Sequence, residues 1–116
     1  MVFPIYHVLA DLAGWRDGTL ADCASGDPLA ALGLAVRLGD GWGLLVANVT
    51  PLPRRVGVTG LAFASARVRH LDAATGADAA FSPERFRGSW APLAAGGPGL
   101  ELDLAPYAIA CVEART

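Results

Sequence analysis

Hydrophobic and polar positions alternate along most of this chain, and a period of two is the signature of half-buried strands. The pattern is strongest over residues 32–50. Leu32, Leu34, Val36 and Leu38 alternate with small or charged residues, and Trp42 begins a second, almost wholly apolar run to Val49. Gly39-Asp40-Gly41 between them supplies a reversal. A three-residue Gly-Asp-Gly loop sets Leu38 opposite Trp42, Val36 opposite Leu44 and Leu34 opposite Val46. A two-residue Asp40-Gly41 loop instead sets Val36 opposite Leu45 and turns Trp42 to the other side. The first register is preferred, because Gly41 can take the left-handed position such a loop needs. A hairpin this apolar on both legs belongs in the middle of a packed sheet.

Helical spacing occurs once, over residues 4–15. Ile5, Val8, Leu9 and Leu12 fall at i, i+3, i+4 and i+7 and predict the buried stripe, with Pro4 in the first turn. His7 and Asp11 lie one turn apart, away from that stripe. Gly14 and Asp17-Gly18 then end the helix. The remainder reads as strands and connections. A short strand is predicted over residues 19–25, ended by Gly26-Asp27-Pro28. Thr50-Pro51-Leu52-Pro53 is a connection, since two prolines so close cannot both sit in a central ladder. Strands follow over residues 55–59, with Val56 and Val58 inward, and 64–71. Residues 72–80 read as a loop and 82–87 as one helical turn starting at Ser82-Pro83-Glu84. An edge strand over 89–93, a Gly-rich loop over 94–99, and strands carrying Leu100, Leu102 and Leu104 and then Tyr107, Ile109 and Cys111 complete the chain. The fold class is therefore mostly β: a two-layer antiparallel β-sandwich of about seven or eight strands with a short N-terminal helix. Residues 1–17 form the helical segment and 18–116 the sandwich.

Composition narrows the function. A chain of 116 residues that is 53% hydrophobic can bury a real core and is not disordered. A net charge of −2 argues against nucleic acid or an acidic membrane as partner, and no run approaches the ~18 apolar residues of a membrane span. All nine basic residues are Arg, a bias of GC-rich bacterial coding sequences. The start MVFPIYHVLADL lacks the features of a signal peptide, which puts the expected compartment in the cytoplasm. Cys23 and Cys111 both fall in expected strands and are read as buried, unpaired thiols.

No arrangement of residues supplies chemistry. Neither His7 nor His70 lies in a motif that activates a nucleophile. The acids occupy turns or outward strand positions, and no GxGxxG, P-loop, HExxH or paired CxxC occurs. No catalytic residue, cofactor or metal site is expected. Trp42 and Trp90 are the candidates for stacking on a sugar ring, with packing as the plainer reading for all three tryptophans. Arg67 with Arg69, and Arg85 with Arg87, could clamp an anion; the preferred reading is an exposed polar surface. Asn48 is expected to hydrogen-bond backbone where its strand gives way to the Pro51 connection.

The segments PIYHVLADL, LLVANVT after the Gly-Asp-Gly hairpin, VGVTG, ARVRHLD and LELDLAPYAIACVEA resemble the C-terminal β-sandwich that follows the (β/α)8 barrel of many glycoside-hydrolase-like enzymes. PIYHVLADLAGW with SGDPL is most similar to the end of bacterial D-apionate lactonase-type proteins. The resemblance covers nearly the whole chain. It implies that PIYHVLADLAGW is the last helix of a barrel and that the catalytic carboxylates lie on barrel strands outside this sequence. It also implies that the chain is one part of a longer protein, as an excised domain or through a shortened reading frame. The expected role is a non-catalytic accessory domain of a carbohydrate-active or sugar-acid lactone hydrolase, with the barrel of the same parent chain as partner. The alternatives are a carbohydrate-binding module using Trp42 or Trp90, and an interaction domain that forms homo-oligomers through an exposed apolar face. If a barrel is the partner, the helix and one sheet face should carry an apolar patch for it to cover.

Overall fold

The computed structural model describes residues 1–94 and 99–116, so the heart of the loop expected over 94–99 lies outside the described residues. The described chain has three helices, Ile5–Gly14 (α1), Gly76–Phe81 (α2) and Pro83–Arg87 (α3). Its eight strands are Thr19–Ala21 (β1), Ala31–Leu38 (β2), Gly41–Asn48 (β3), Arg54–Thr59 (β4), Ser65–Leu71 (β5), Ala91–Leu93 (β6), Gly99–Leu104 (β7) and Ile109–Arg115 (β8). They form a six-stranded sheet in the order β1-β2-β3-β8-β5-β6 and a two-stranded sheet β4-β7, every pair antiparallel. This is the expected two-layer sandwich, with unequal layers.

The main core lies between the sheets. Leu44, Val46, Val68 and Val112 of the large sheet meet Leu102 and Leu104 of β7, all buried. The alternation Leu100-Glu101-Leu102-Asp103-Leu104 produces this directly, with its acids outward and paired to Arg55. Ala108, Ala110 and Ala114 are also buried there, and such small residues let the layers approach closely. A second core lies on the opposite face of the large sheet, where Trp15, Val36 and Cys111 pack with Leu12, Leu34 and Leu45. The second strand of the hairpin is thus apolar on both sides because both of its sides are covered.

The hairpin register differs from either expectation. Leu38 pairs with Gly41, Arg37 with Trp42, Val36 with Gly43 and Ala35 with Leu44, closing a two-residue Gly39-Asp40 loop. A slip of one residue reverses a strand. Leu34, Val36 and Leu38 therefore face the helix side, while Ala35 joins Leu44 and Val46 between the sheets. Two neighbours decide this register. A Cβ at Gly41 would land on the Ala114 carbonyl of β8, so this glycine serves the β3–β8 ladder and not the turn. A Cβ at Gly43 would lie 2.5 Å from the Trp15 ring, which packs flat on the bare backbone.

Other expectations need correction. β1 ends at Ala21 rather than at residue 25, which leaves Cys23 outside a strand and exposed; Cys111 is buried, and both thiols are free. Residues 76–81, expected as loop, form α2. It carries no hydrophobic period and is held from outside: Ala79 is fully buried, and its carbonyl accepts from His7 Nε2 at 2.8 Å. Tyr107, expected in the last strand, sits before it in a turn at φ 56°, 65% exposed. That left-handed backbone costs about 1 kcal/mol for a residue with a Cβ, and the Tyr107 N–H donates to the Thr50 carbonyl. Asn48 behaves as expected: its amide donates to the carbonyls of Leu52 and Ala105 and accepts from Thr50, tying the end of β3 to its connection.

Val46 is 5% exposed in the main core. Val46→Asp should abolish cooperative unfolding, since an unpaired buried charge costs several kcal/mol against a domain stability of ~5–15 kcal/mol. Circular dichroism during a thermal ramp checks this, and an unchanged melt would remove Val46 from the core.

Candidate functional site

Helix α1 is rotated away from its hydrophobic pattern: Val8 and Leu12 stay half-buried, with Leu12 on the second core, while the other half of the stripe turns outward. Ile5 and Leu9, half of the expected buried stripe, are 58% and 57% exposed. His7 and Asp11, the polar residues one turn apart, are 2% and 8% exposed and face the protein. The reason lies on the sheet beneath. Arg69 of β5 is buried, and its Nη2 donates to both Asp11 carboxylate oxygens at 2.6 and 2.7 Å. Arg87 of α3 donates to the same carboxylate at 2.7 Å from Nη2, and through Nη1 to His7 Nδ1 at 3.3 Å. His7 Nε2–H donates to the Ala79 carbonyl, so the partners define its tautomer. A second donor of Arg69 reaches the Arg87 carbonyl at 3.0 Å, and its guanidinium lies over Phe86 and Trp90. Three elements, α1, β5 and α3, are joined at one carboxylate, His7 ties in α2 through the Ala79 carbonyl, and among the described residues no buried side-chain polar atom lacks a partner.

The arginine pairs do clamp an anion, and it is an internal one. One member of each pair, Arg69 and Arg87, holds Asp11. The other members, Arg67 and Arg85, are exposed and pair with Glu113 and Asp78. The exposed reading was therefore right for two of the four and wrong for Arg69, which is 3% exposed. The signal that could have found the cluster is the i, i+4 spacing of His7 and Asp11 on a helix whose strand partner carries alternating arginines.

With His7 and Asp11 inward, α1 turns Ile5, Tyr6 and Leu9 to solvent. Phe3, Ile5, Tyr6 and Leu9 are all exposed, and Phe81 adds a further exposed aromatic beside the chain start, where Val2 N–H donates to the Ala80 carbonyl. This is the apolar patch expected on the helix if a larger partner covers it.

The tryptophans do not form one platform. Trp42 packs, half-buried, against the core between the sheets, with Arg37 5.3 Å from its ring centroid. Trp90 packs on the opposite face of the large sheet, where Arg67 and Arg69 stand 4.1 and 4.3 Å from its centroid. Trp15 is buried and its Nε1–H donates to Glu113 at 3.2 Å. Burial, and then the neighbouring Asp11 carboxylate, push the Cys111 thiol well above its ordinary range, which keeps it protonated and poorly nucleophilic. Among the described residues no three His, Cys, Asp or Glu side chains gather to hold a metal. No described helix is long and apolar enough to cross a membrane.

Sheets of six and two antiparallel strands closed over a common core define an immunoglobulin-like β-sandwich. The model of the D-apionate lactonase C-terminal immunoglobulin-like domain matches residues 28–112, and the chain belongs to that family. Its fold is similar to part of a GH30 endoxylanase from Clostridium papyrosolvens C71, with a TM-score of 0.76 at 11% identity. That match covers 99% of this chain and 28% of the endoxylanase chain, so the present chain spans little more than a quarter of that protein. No curated protein matches this sequence.

Asp11→Asn should destabilise the domain by about 3–5 kcal/mol, because it leaves two arginines facing each other without their carboxylate. Urea midpoints measure the loss. Replacing all three charges, Asp11→Leu with Arg69→Met and Arg87→Met, should recover part of it, since apolar groups then leave no charge of the cluster unpaired. Equal midpoints for Asp11→Asn and the unaltered chain would show that the cluster carries no net weight.

Proposed function

We propose that this chain is a non-catalytic accessory domain that packs against, and stabilises, the catalytic barrel of a sugar-acid lactone or glycoside hydrolase. Residues 1–17 serve as the last helix of that barrel and 18–116 as the sandwich appended to it, in a cytoplasmic protein. The carrying observation is the rotated mounting of α1: a ten-residue helix that turns His7 and Asp11 onto its own domain and leaves Ile5 and Leu9 uncovered, with Phe3 exposed just before it. Exposed apolar residues grouped on one helix face are the mark of a surface that another protein body covers. Membership in a family described as a C-terminal domain of D-apionate lactonase supports a larger parent chain, as does coverage of 28% of a similar structure.

A carbohydrate-binding role is the second reading, and Trp42 and Trp90 are its residues. Its weaker support lies in their surroundings, since arginines already stand over both rings. Titration with pentose and hexose oligomers to millimolar concentration should leave the tryptophan fluorescence unchanged; a saturable response would favour the binding module.

The accessory role makes a sharper demand. Ile5→Asp with Leu9→Asp should move the melting temperature of the 116-residue chain by no more than about 2 °C, because exposed sites contribute little. The same pair in the longer polypeptide should destabilise the barrel and expose apolar surface to a fluorescent dye. A large loss of stability in the 116-residue chain itself would place these residues in its own core and remove the docking face.

A further inference from the structure

Imidazole is the side chain that ordinarily changes charge between about pH 5 and 8, and the ring of His7 is 2% exposed among the contacts that hold α1. Both of its nitrogens are in use, in opposite senses. Nε2–H donates to the Ala79 carbonyl of α2 at 2.8 Å, and Nδ1 accepts from Arg87 Nη1 of α3 at 3.3 Å. Only the neutral ring can do both. The charged and titratable groups around it are Asp11 and Tyr6 on α1, Arg87 on α3, Arg69 on β5 and Cys111 on β8. Helix α2 adds the Ala79 carbonyl, while its Asp78 is exposed and paired to Arg85. A proton added at Nδ1 turns the acceptor into a donor. The bond from Arg87 is then lost, and an imidazolium stands against a guanidinium in a buried place. Asp11 gives no relief, because it spends both oxygens on the two arginines. Of those arginines Arg87 is the one free to yield: its side chain is 29% exposed, against 2% for Arg69.

We propose that His7 and Arg87 form an acid-released latch on α1. With His7 neutral, Arg87 ties α3 to Asp11, to the His7 ring and to the His7 carbonyl. Protonation of His7 turns Arg87 out to solvent and breaks all three ties. The first two turns of α1 then lift from the sheet, while Trp15 on the backbone of Gly43 keeps the far end in place. The lifted turns carry Ile5 and Leu9, so the latch sets whether those residues are presented on a fixed surface. That a barrel responds to this rests on the accessory-domain reading above; the latch itself belongs to the 116-residue chain.

Cys111 reports the lifting, because it lies under α1 at a small cavity that His7, Val8, Asp11 and Arg69 also line. Cys23 is exposed and serves as the internal standard. Both are measured with a dipyridyl disulfide, which reacts with thiols in acid, and the ratio of the two rates cancels the reagent's own pH dependence. From about pH 7.5 to about pH 5 the Cys111-to-Cys23 ratio should rise at least about 10-fold, while the amides of β3 stay protected from exchange. His7→Gln, whose amide offers a donor and an acceptor but takes up no proton, should hold the ratio within about 2-fold. Arg87→Met removes the opposing cation and should also flatten the response, which keeps the test open if His7→Gln fails to fold. A flat ratio in the unaltered chain overturns the latch. So does an equal rise in His7→Gln, since the proton then acts on another group, and so does a rise accompanied by loss of β3 protection, which is global unfolding. If the ratio rises as stated but the Ile5→Asp, Leu9→Asp pair leaves the longer polypeptide unaffected, the latch stands and the accessory reading falls. A flat ratio with a destabilised barrel gives the reverse.

Discussion

One buried carboxylate decides how the rest of this protein is arranged. Asp11 takes hydrogen bonds from Arg69 on the sheet and Arg87 on α3, and His7 one turn earlier reaches Arg87 and α2. A ten-residue helix has little stability of its own and must be held by its surroundings. Here it is held chiefly through charge, with Trp15 on the bare backbone of Gly43 as the apolar anchor at its far end. Burying charge is expensive, and such a cluster stabilises only when every member is paired. It therefore fixes one orientation of α1 closely, since any rotation strands a buried arginine. The fixed orientation is what turns Ile5 and Leu9 outward.

The helix thus has two working faces. Its polar residues His7 and Asp11 belong to the sandwich, and its exposed Ile5 and Leu9 are the residues on which the proposed accessory role rests. The sandwich has a comparable asymmetry. Its hairpin strand β3 is covered on both sides, by α1 and by the small sheet, whereas β2 has its helix-side residues only partly covered and its inner face bordering a groove that Cys23 also lines. Both open regions are apolar, and both lie next to well-packed core. Beside α1, Asp11 is held by two arginines, His7 by the Ala79 carbonyl and Cys111 by burial, whereas Cys23 is exposed at the groove.

Much of the fold was legible where a single contact partner sufficed to explain the pattern. Leu100, Leu102 and Leu104 alternate with acids and do face the core, and Val56 and Val58 point inward from β4. Asn48 could be read as a backbone clasp because its neighbours Thr50 and Pro51 leave polar groups near by in sequence. Reading failed where two partners compete for a residue. Gly41 looked like a turn residue and is a ladder residue, because its close neighbour is Ala114, far along the chain. The stripe Ile5, Val8, Leu9 and Leu12 looked like a core face because hydrophobicity alone was weighed, and the charges that outweigh it sit at Arg69 and Arg87. α2 was invisible because its Ala-rich run has no period, and its support comes from His7 and Val2.

The sequence by itself determined the class of fold, the number and rough placement of the strands, and the family to which the chain belongs. Alternation with a period of two and turn residues are local properties, and they carry that information within a few residues of each other. Tertiary structure alone decided the register of the β2–β3 hairpin, the side on which α1 lies, and the conversion of two arginine pairs into one internal clamp. Those outcomes depend on groups far apart in the chain (Trp15 with Gly43, Gly41 with Ala114, Asp11 with Arg69 and Arg87), and a choice between two nearly equal local arrangements is settled by which one leaves no buried charge unpaired and no Cβ in another strand's carbonyl.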